Sequence, residues 1–237
     1  MRRIIQSVFI VALLSLSATT VWANPYDYTK EDLNGYNMQP SFKTDDESDF
    51  SRSGNAVYAY GGFLYNHLFL TSNLRTLNNA ATTVNYNPDA ILPSGFMGLG
   101  LGLGKQMSHH VDMQLEYQQF FSEDKTATTG GSTYKTLTKI TGFLADAGYV
   151  FNPDDQFQVM AKFGAEIAEY NSSFTVNNAE YYPTGDNTQI NPAAGADLLI
   201  QFTRHIGMRV SALYTMDVQN VNSHGNVSAL AGFNYTF

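Results

Sequence analysis

The chain has 237 residues, of which 14% are charged, 14% are aromatic and none is cysteine. The absence of cysteine excludes disulfide bonds and thiolate metal sites, and a formal net charge of −8 gives no electrostatic basis for binding nucleic acid. Beyond the amino-terminal stretch, no run approaches the 18 apolar residues that a membrane-spanning helix needs.

The amino-terminal stretch predicts export. Arg2 and Arg3 precede an apolar run over residues 4–16, and small residues surround Ala23, the layout of a secretory signal peptide. The run is too short to span a bilayer as a helix, so we expect a signal peptide over residues 1–23, cleaved after Ala23. Its removal lowers Lys+Arg from 13 to 11 against 21 acids, a net charge near −10. Residues 24–55 are polar, acidic and without a regular period, which predicts a flexible periplasmic segment.

The stretch "GLGLGLGK", residues 98–105, contains the first strong structural pattern. A Walker loop would need a glycine at Leu99 and a hydroxyl at Gln106, and no G-x-G-x-x-G frame ends on a glycine. Both nucleotide-binding motifs therefore fail on spacing. In a β-strand, by contrast, the same letters place leucines on one face and glycines on the other.

Eight segments show such alternation. They lie near 57–67, 94–106, 111–121, 137–151, 157–169, 192–202, 207–217 and at the end of the chain. The connections between them are long (68–93), short (107–110), long (122–136), short (152–156), long (170–190), short (203–206) and moderate (218–225). This rhythm is typical of transmembrane barrels with short periplasmic turns and longer outer loops. The sequence predicts an all-β fold, an eight-stranded antiparallel up-and-down transmembrane β-barrel over residues 56–237, with both ends in the periplasm.

The last strand carries the most specific resemblance. Apolar residues occupy every second position up to the carboxyl terminus, with Phe233, Tyr235 and Phe237 among them, and this looks like the assembly signal of bacterial outer-membrane barrels. The pattern over residues 57–237 resembles the OmpA-like and opacity-type family of small barrels, with no peptidoglycan-binding domain expected after the barrel. The resemblance implies a monomeric surface-interaction protein of the cell outer membrane. Its implied partners are outer-membrane lipid and lipopolysaccharide, the barrel-assembly machinery and a host-surface ligand.

Strand alternation also assigns the side chains that face lipid. The outward charges Lys105, Lys139 and Glu169 lie near strand ends, where a charge costs little compared with mid-bilayer. Outward aromatic residues are expected at the periplasmic strand ends: Tyr149, Phe151, Phe157, Phe202, Tyr235 and Phe237. The glycines of the second strand would then line a narrow lumen and leave room for side chains from other strands.

The inward positions collect a polar network in the predicted lumen: Glu116, Asp146, Lys162, Glu166, Asp197 and Arg209. Buried charges persist when they are paired and hydrogen-bonded, so we expect Lys162 to be the hub, with Glu116, Asp146 and Asp197 as partners. Structural packing is one interpretation of this network, and an acidic path that favours cations is the other.

The search for chemistry gives no specific motif. Asp217, Ser223 and His224 cluster near the last outer loop, with His67 at the top of the first strand, but their spacing is that of ordinary turns. We expect no catalytic residue, cofactor or metal site, and we expect the adjacent pair His109-His110 to be a solvated turn. Three functions stay open: a surface-interaction protein acting through the long outer loops, a narrow channel for small solutes, and a lipid A-modifying enzyme.

Overall fold

A computed structural model describes residues 54–79, 82–183, 188–217 and 222–237. The predicted signal peptide and residues 24–53 of the predicted periplasmic segment lie outside these residues. All the described residues belong to one compact unit.

The described residues form twelve β-strands and one short helix. In chain order they are β1 (Val57–Leu70), β2 (Arg75–Asn78), β3 (Thr83–Tyr86), α1 (Pro88–Ile91), β4 (Gly95–Gln106), β5 (Val111–Phe120), β6 (Glu123–Thr129), β7 (Ser132–Val150), β8 (Phe157–Val176), β9 (Ala179–Pro183), β10 (Thr188–Gln201), β11 (Ile206–Thr215) and β12 (Ser223–Thr236). Within these ranges, no helix has the length and apolar character needed to cross a membrane.

Eight of the strands close into a barrel. The order is β1, β4, β5, β7, β8, β10, β11 and β12, every neighbouring pair is antiparallel, and β12 pairs back onto β1. The closure is visible at Gly62, which lies opposite Gly100 of β4 on one side and Gly232 of β12 on the other. The predicted eight-stranded antiparallel barrel is therefore confirmed.

The two faces of the wall follow the predicted alternation. Along β8, for example, Phe163 is 71% exposed while its neighbour Lys162 is buried. The six aromatic residues expected at the periplasmic strand ends are all exposed on the outer surface. An outer wall covered by exposed Leu, Met, Val and Phe side chains is an apolar surface far larger than water-soluble monomers present.

The glycine row of β4 makes room for two tyrosines of β1. A Cβ atom on Gly102 would lie 2.1 Å from the Tyr60 ring, and one on Gly104 would lie 2.2 Å from the Tyr58 ring. The Tyr60 ring therefore covers Gly102, and the Tyr58 ring covers Gly104. The space that the sequence predicted at Gly102 and Gly104 is therefore occupied by tyrosine side chains of the adjacent strand β1.

The long connections carry more regular structure than the predicted loops suggested. Strands β7 and β8 run beyond the barrel, and they pair there with β6 and β9, while β2 joins β9 and β3. Two hairpin turns make this possible: Gly130-Gly131 and Asn177-Asn178 all have positive φ, the backbone that tight hairpins need. We call this extension, with α1, the outer cap.

Candidate functional site

The part of the lumen nearer Val57 and Phe237 contains a chain of ion pairs in which Asp197 lies between Lys162 and Arg209. Oδ1 of Asp197 lies 3.0 Å from Nζ of Lys162 and its Oδ2 lies 3.6 Å from Nε of Arg209. Asp146 completes the group with an oxygen 3.8 Å from the Lys162 ammonium. These four side chains form a buried quartet of two carboxylates and two cations.

This arrangement keeps Lys162 in ion pairs with Asp146 and Asp197 but corrects the third predicted partner. Lys162 contacts two of its three expected partners, but Glu116 accepts hydrogen bonds from Tyr60 (3.0 Å) and Gln118 (2.8 Å) instead. The reason is geometric, because strands in a barrel are tilted and staggered. Side chains at equal distances from their turns therefore do not share one layer.

Arg209 joins the quartet to the tyrosines of β1. Its guanidinium carbon lies 4.0 Å from the centre of the Tyr60 ring and 5.2 Å from that of Tyr58, the geometry of a cation–π contact. Its Nη1 donates to Oε1 of Gln114 at 3.2 Å, and Tyr58 donates to Asp112 at 3.0 Å. Sequence reasoning missed both tyrosines, although their inward parity beside a glycine row was a usable signal.

Glu166, the remaining predicted member, lies four residues further along β8 than Lys162 and forms no ion pair with the described residues. Eight charged side chains are buried among those described, six carboxylates and two cations: Asp112, Glu116, Asp146, Glu166, Asp197, Asp217, Lys162 and Arg209. Among the described residues, buried acidic side chains therefore outnumber buried basic ones by six to two, and both basic ones belong to the quartet.

Beyond the quartet the lumen contains an apolar cluster as well as buried polar side chains such as Asn66, Glu166 and Asp217. Side chains from five strands pack into one cluster with the two tyrosines: Tyr58, Tyr60, Leu64, Leu68, Phe96, Phe120, Ile140 and Leu230. Eight-stranded barrels have interiors just wide enough for side chains to fill. Here the ion-paired quartet lies on the side of Val57 and Phe237, and buried apolar and polar side chains share the lumen toward the cap.

The outer cap has a hydrophobic core of its own. It is built from β2, β3, β7, β8, β9 and the residues at α1: Leu77, Tyr86, Ile91, Leu92, Tyr134, Phe174, Val176 and Tyr181. Burial raises the pKa of Tyr86 to about 12, and its hydroxyl donates a hydrogen bond to Oδ1 of Asn222 at 2.8 Å.

The short helix is fixed to the cap by its carbonyl groups. Lys125 of β6 donates to the carbonyls of Asp89 and Leu92, both at 3.0 Å, and Thr136 of β7 donates to that of Ile91 at 2.7 Å. A cation at a helix carboxyl end is favourable. The cap is therefore a packed extension in which hydrogen bonds from β6 and β7 hold α1 in place.

The residues considered for catalysis are not assembled into a triad. Ser223 points into the barrel and donates directly to Asp217, whereas His224 is exposed on the opposite face of β12. His67 is also on the outer surface, beside Phe69. No base lies between the hydroxyl and the carboxylate, so these described residues lack the order that an activated nucleophile requires.

The described residues form no metal site, and the predicted assembly signal lies on the outer surface. Among the side chains described, no group of three or more His, Asp or Glu residues is arranged to hold a metal ion. His109 contacts Asp154 at 3.1 Å, and His110 contacts the carbonyl of Val150 at 2.8 Å. Both histidines lie in the turn between β4 and β5, which is next to the turn between β7 and β8. The residues of the predicted assembly signal, Phe233, Tyr235 and Phe237, lie on the outer surface, and their role in assembly stays a prediction.

Comparison with solved structures identifies the architecture. No protein-family model and no curated protein sequence matches the chain. The outer membrane protein OprG from Pseudomonas aeruginosa is similar in structure, with a TM-score of 0.52 and 10% identity over 81% of this chain and 99% of that chain. The fold is that of a small outer-membrane barrel.

Two further barrels are similar at lower scores. The attachment invasion locus protein Ail of Yersinia pestis gives a TM-score of 0.47 at 11% identity over 77% of this chain and 99% of that chain. Neisserial surface protein A gives 0.45 at 14% identity over 78% of this chain and 98% of that chain. At these identities the likeness is one of fold alone.

Proposed function

We propose that the protein is an outer-membrane barrel of the OmpA-like and opacity-type family whose outer cap is its interaction surface. The observation that carries this proposal is a packed cap at the end of the barrel away from Val57 and Phe237, beyond a lumen that holds packed apolar and ion-paired side chains. A rigid frame that displays variable polar segments is a common way to build a binding surface. The lipid-facing wall anchors the frame, and the cap meets the partner.

The same observations weigh against the other two candidates. A channel would need a continuous aqueous path, whereas apolar side chains such as Leu64, Phe96 and Phe120 pack together inside this barrel. An enzyme acting on lipid A would need an activated nucleophile, and Ser223 and His224 lie on opposite faces of β12. Surface interaction is the function that uses the features present.

The experiment tests surface display and binding together. Because the chain has no cysteine, single cysteines introduced at Thr129 in the cap and Asp155 in a short turn are unique labelling sites. In intact Gram-negative cells, a membrane-impermeant maleimide should label Thr129→Cys and leave Asp155→Cys unlabelled until the cells are lysed. Cells displaying the protein should then adhere to surfaces coated with fibronectin, laminin or collagen.

The matched variant for adhesion is Ile91→Ala, because Ile91 is fully buried in the cap core. Truncating such a side chain typically costs about 2–5 kcal/mol, so the cap should loosen and become sensitive to protease while the barrel keeps its heat-shifted gel band. Adhesion should fall with the loss of cap structure. Equal labelling at both cysteines, or adhesion that survives cleavage of the cap, would contradict the proposal.

A further inference from the structure

Glu166 is a buried carboxyl group for which the described part of the chain supplies no countercharge. The side chain points inward from β8 and is 4% exposed, and its Oε2 atom accepts no hydrogen bond from any described residue. The buried cation of the same strand, Lys162, lies four residues away, about 13 Å at the usual rise of a strand, and it pairs with Asp146 and Asp197. An ionised carboxylate that is both unpaired and removed from water is strongly unfavourable.

The described groups that face Glu166 are acidic or neutral. The titratable ones belong to β5, to its own strand β8 and to the chain two residues beyond β11: Glu116, Tyr170 and Asp217. The neutral ones belong to β7, β10 and β11: Leu144, Asn191 and Thr215. Ionisation of Glu166 would therefore add a negative charge beside two other acids, and none of these groups is a cation that could compensate it.

Gln118 of β5 presents an acceptor oxygen to the same place. Oε1 of Glu166 and Oε1 of Gln118 would lie 2.7 Å and 3.4 Å from a Cβ atom on Gly142, so both oxygens lie over this glycine of β7. The amide nitrogen of Gln118 is used elsewhere, because it donates to Glu116 at 2.8 Å. A carboxylate and an amide oxygen are both acceptors, whereas a protonated carboxyl group can donate to the amide oxygen. The orientation of Gln118 is thus a second observation, independent of burial, that indicates a proton on Glu166.

We infer that Glu166 is a proton-binding site in the lumen, whose carboxyl group holds a proton at neutral pH and donates it to the carbonyl oxygen of Gln118. Because the folded barrel holds this proton and the unfolded chain releases it to water, rising pH favours unfolding. A charge at Glu166 would also repel Asp217, which accepts hydrogen bonds from Asn191 at 3.0 Å and from Ser223. These bonds connect β10, the end of β11 and the beginning of β12, so this junction should loosen first.

Infrared difference spectroscopy of the full-length protein in detergent tests for the proton directly. Between neutral pH and about pH 9, a range in which buried glutamates titrate, the C=O stretching band of a protonated carboxyl group should disappear from the spectrum of the unaltered protein. Glu166→Gln should lack this band at both pH values, and its neutral amide can still donate to Gln118. The control Glu169→Gln, at an outward position of the same strand, should keep the band and its pH dependence.

Urea unfolding and a spin label measure the consequences for the barrel. The unfolding constant of the unaltered protein, divided by that of Glu166→Gln, should rise roughly tenfold per pH unit until Glu166 ionises in the folded barrel, the slope of one proton. The same ratio for Glu169→Gln should stay constant. A nitroxide on His224→Cys, exposed on β12 beside Ser223, should become more mobile at alkaline pH with Glu166 present and should not do so in the Glu166→Gln background.

Four results would overturn the inference: no protonated-carboxyl band in the unaltered protein at neutral pH, a band that survives in Glu166→Gln, a ratio of unfolding constants that does not change with pH, or equal motion of the nitroxide in both backgrounds. Heat-shifted gel bands verify that every variant is folded. Should Glu166→Gln fail to fold, the unaltered protein still tests the inference, because the first of these results needs no variant.

Discussion

Replacing Arg209 with methionine should lower the free energy of unfolding by about 3–5 kcal/mol, the usual cost of removing one partner from a buried ion pair. Arg209 is fully buried, and its loss leaves Lys162 as the only cation among the described residues that pairs with the carboxylates of Asp146 and Asp197. It also removes the contact with the Tyr60 ring. Urea unfolding of the barrel refolded in lipid vesicles measures the change.

A double variant separates charge from packing. In the Arg209→Met background, Asp197→Asn removes the excess negative charge and leaves Lys162 with Asp146 alone, so part of the lost stability should return. Arg204→Met, in an exposed turn, is the control and should change stability by less than about 0.5 kcal/mol. If Arg209→Met lowers the free energy of unfolding by less than about 1 kcal/mol, the quartet does not contribute to barrel stability as the account requires.

Gly102→Ala should be nearly as damaging. The new Cβ would lie 2.1 Å from the Tyr60 ring, and that ring is held by its hydrogen bond to Glu116 and its contact with Arg209. Because the ring cannot move without breaking both, we expect a loss of about 3 kcal/mol, at the upper end for overpacked cores. The folded fraction from the heat-shifted gel band, together with urea unfolding, gives the measurement.

The control and the rescue both follow from strand parity. Leu101→Ala, on the lipid-facing side of the same strand, creates no such clash. In a Tyr60→Ala background the clash is gone, so adding Gly102→Ala should then cost less than about 1 kcal/mol. If Gly102→Ala costs the same with and without the Tyr60 ring, the tyrosine does not occupy the glycine row.

The barrel could be predicted from the sequence because lipid imposes a simple rule. One face of every spanning strand must be apolar, so Leu99, Leu101 and Leu103 on β4, or Phe163 on β8, reveal strand and orientation together. Outside the lipid, the outward face of a strand need not be apolar, so the rule no longer identifies it. Strands β7 and β8 were therefore predicted too short, since their outer ends carry polar side chains on the outward face.

The outer cap and the quartet form through contacts between residues that are far apart in the sequence, so no local pattern predicts them. The cap core joins Leu77, Tyr134 and Phe174 from three separate connections, and no period links them. The partners within the quartet depend on register between strands, which brings Arg209 rather than Glu116 into the ion pairs of Lys162 and Asp197. Identity and parity of these residues were predictable, whereas their stagger around the barrel was not.

The central claim is that the apolar face of each barrel strand touches lipid, and a spin-label scan of β8 tests it most directly. Single cysteines at Phe157, Gln158, Val159, Met160, Ala161 and Phe163 carry a nitroxide in protein reconstituted into bilayers, and collisions with oxygen and with a water-soluble nickel complex are measured. We predict high oxygen accessibility at 157, 159, 161 and 163 and low accessibility to both reagents at 158 and 160. High accessibility to the nickel complex at the odd positions, or oxygen maxima at the even ones, would contradict the account.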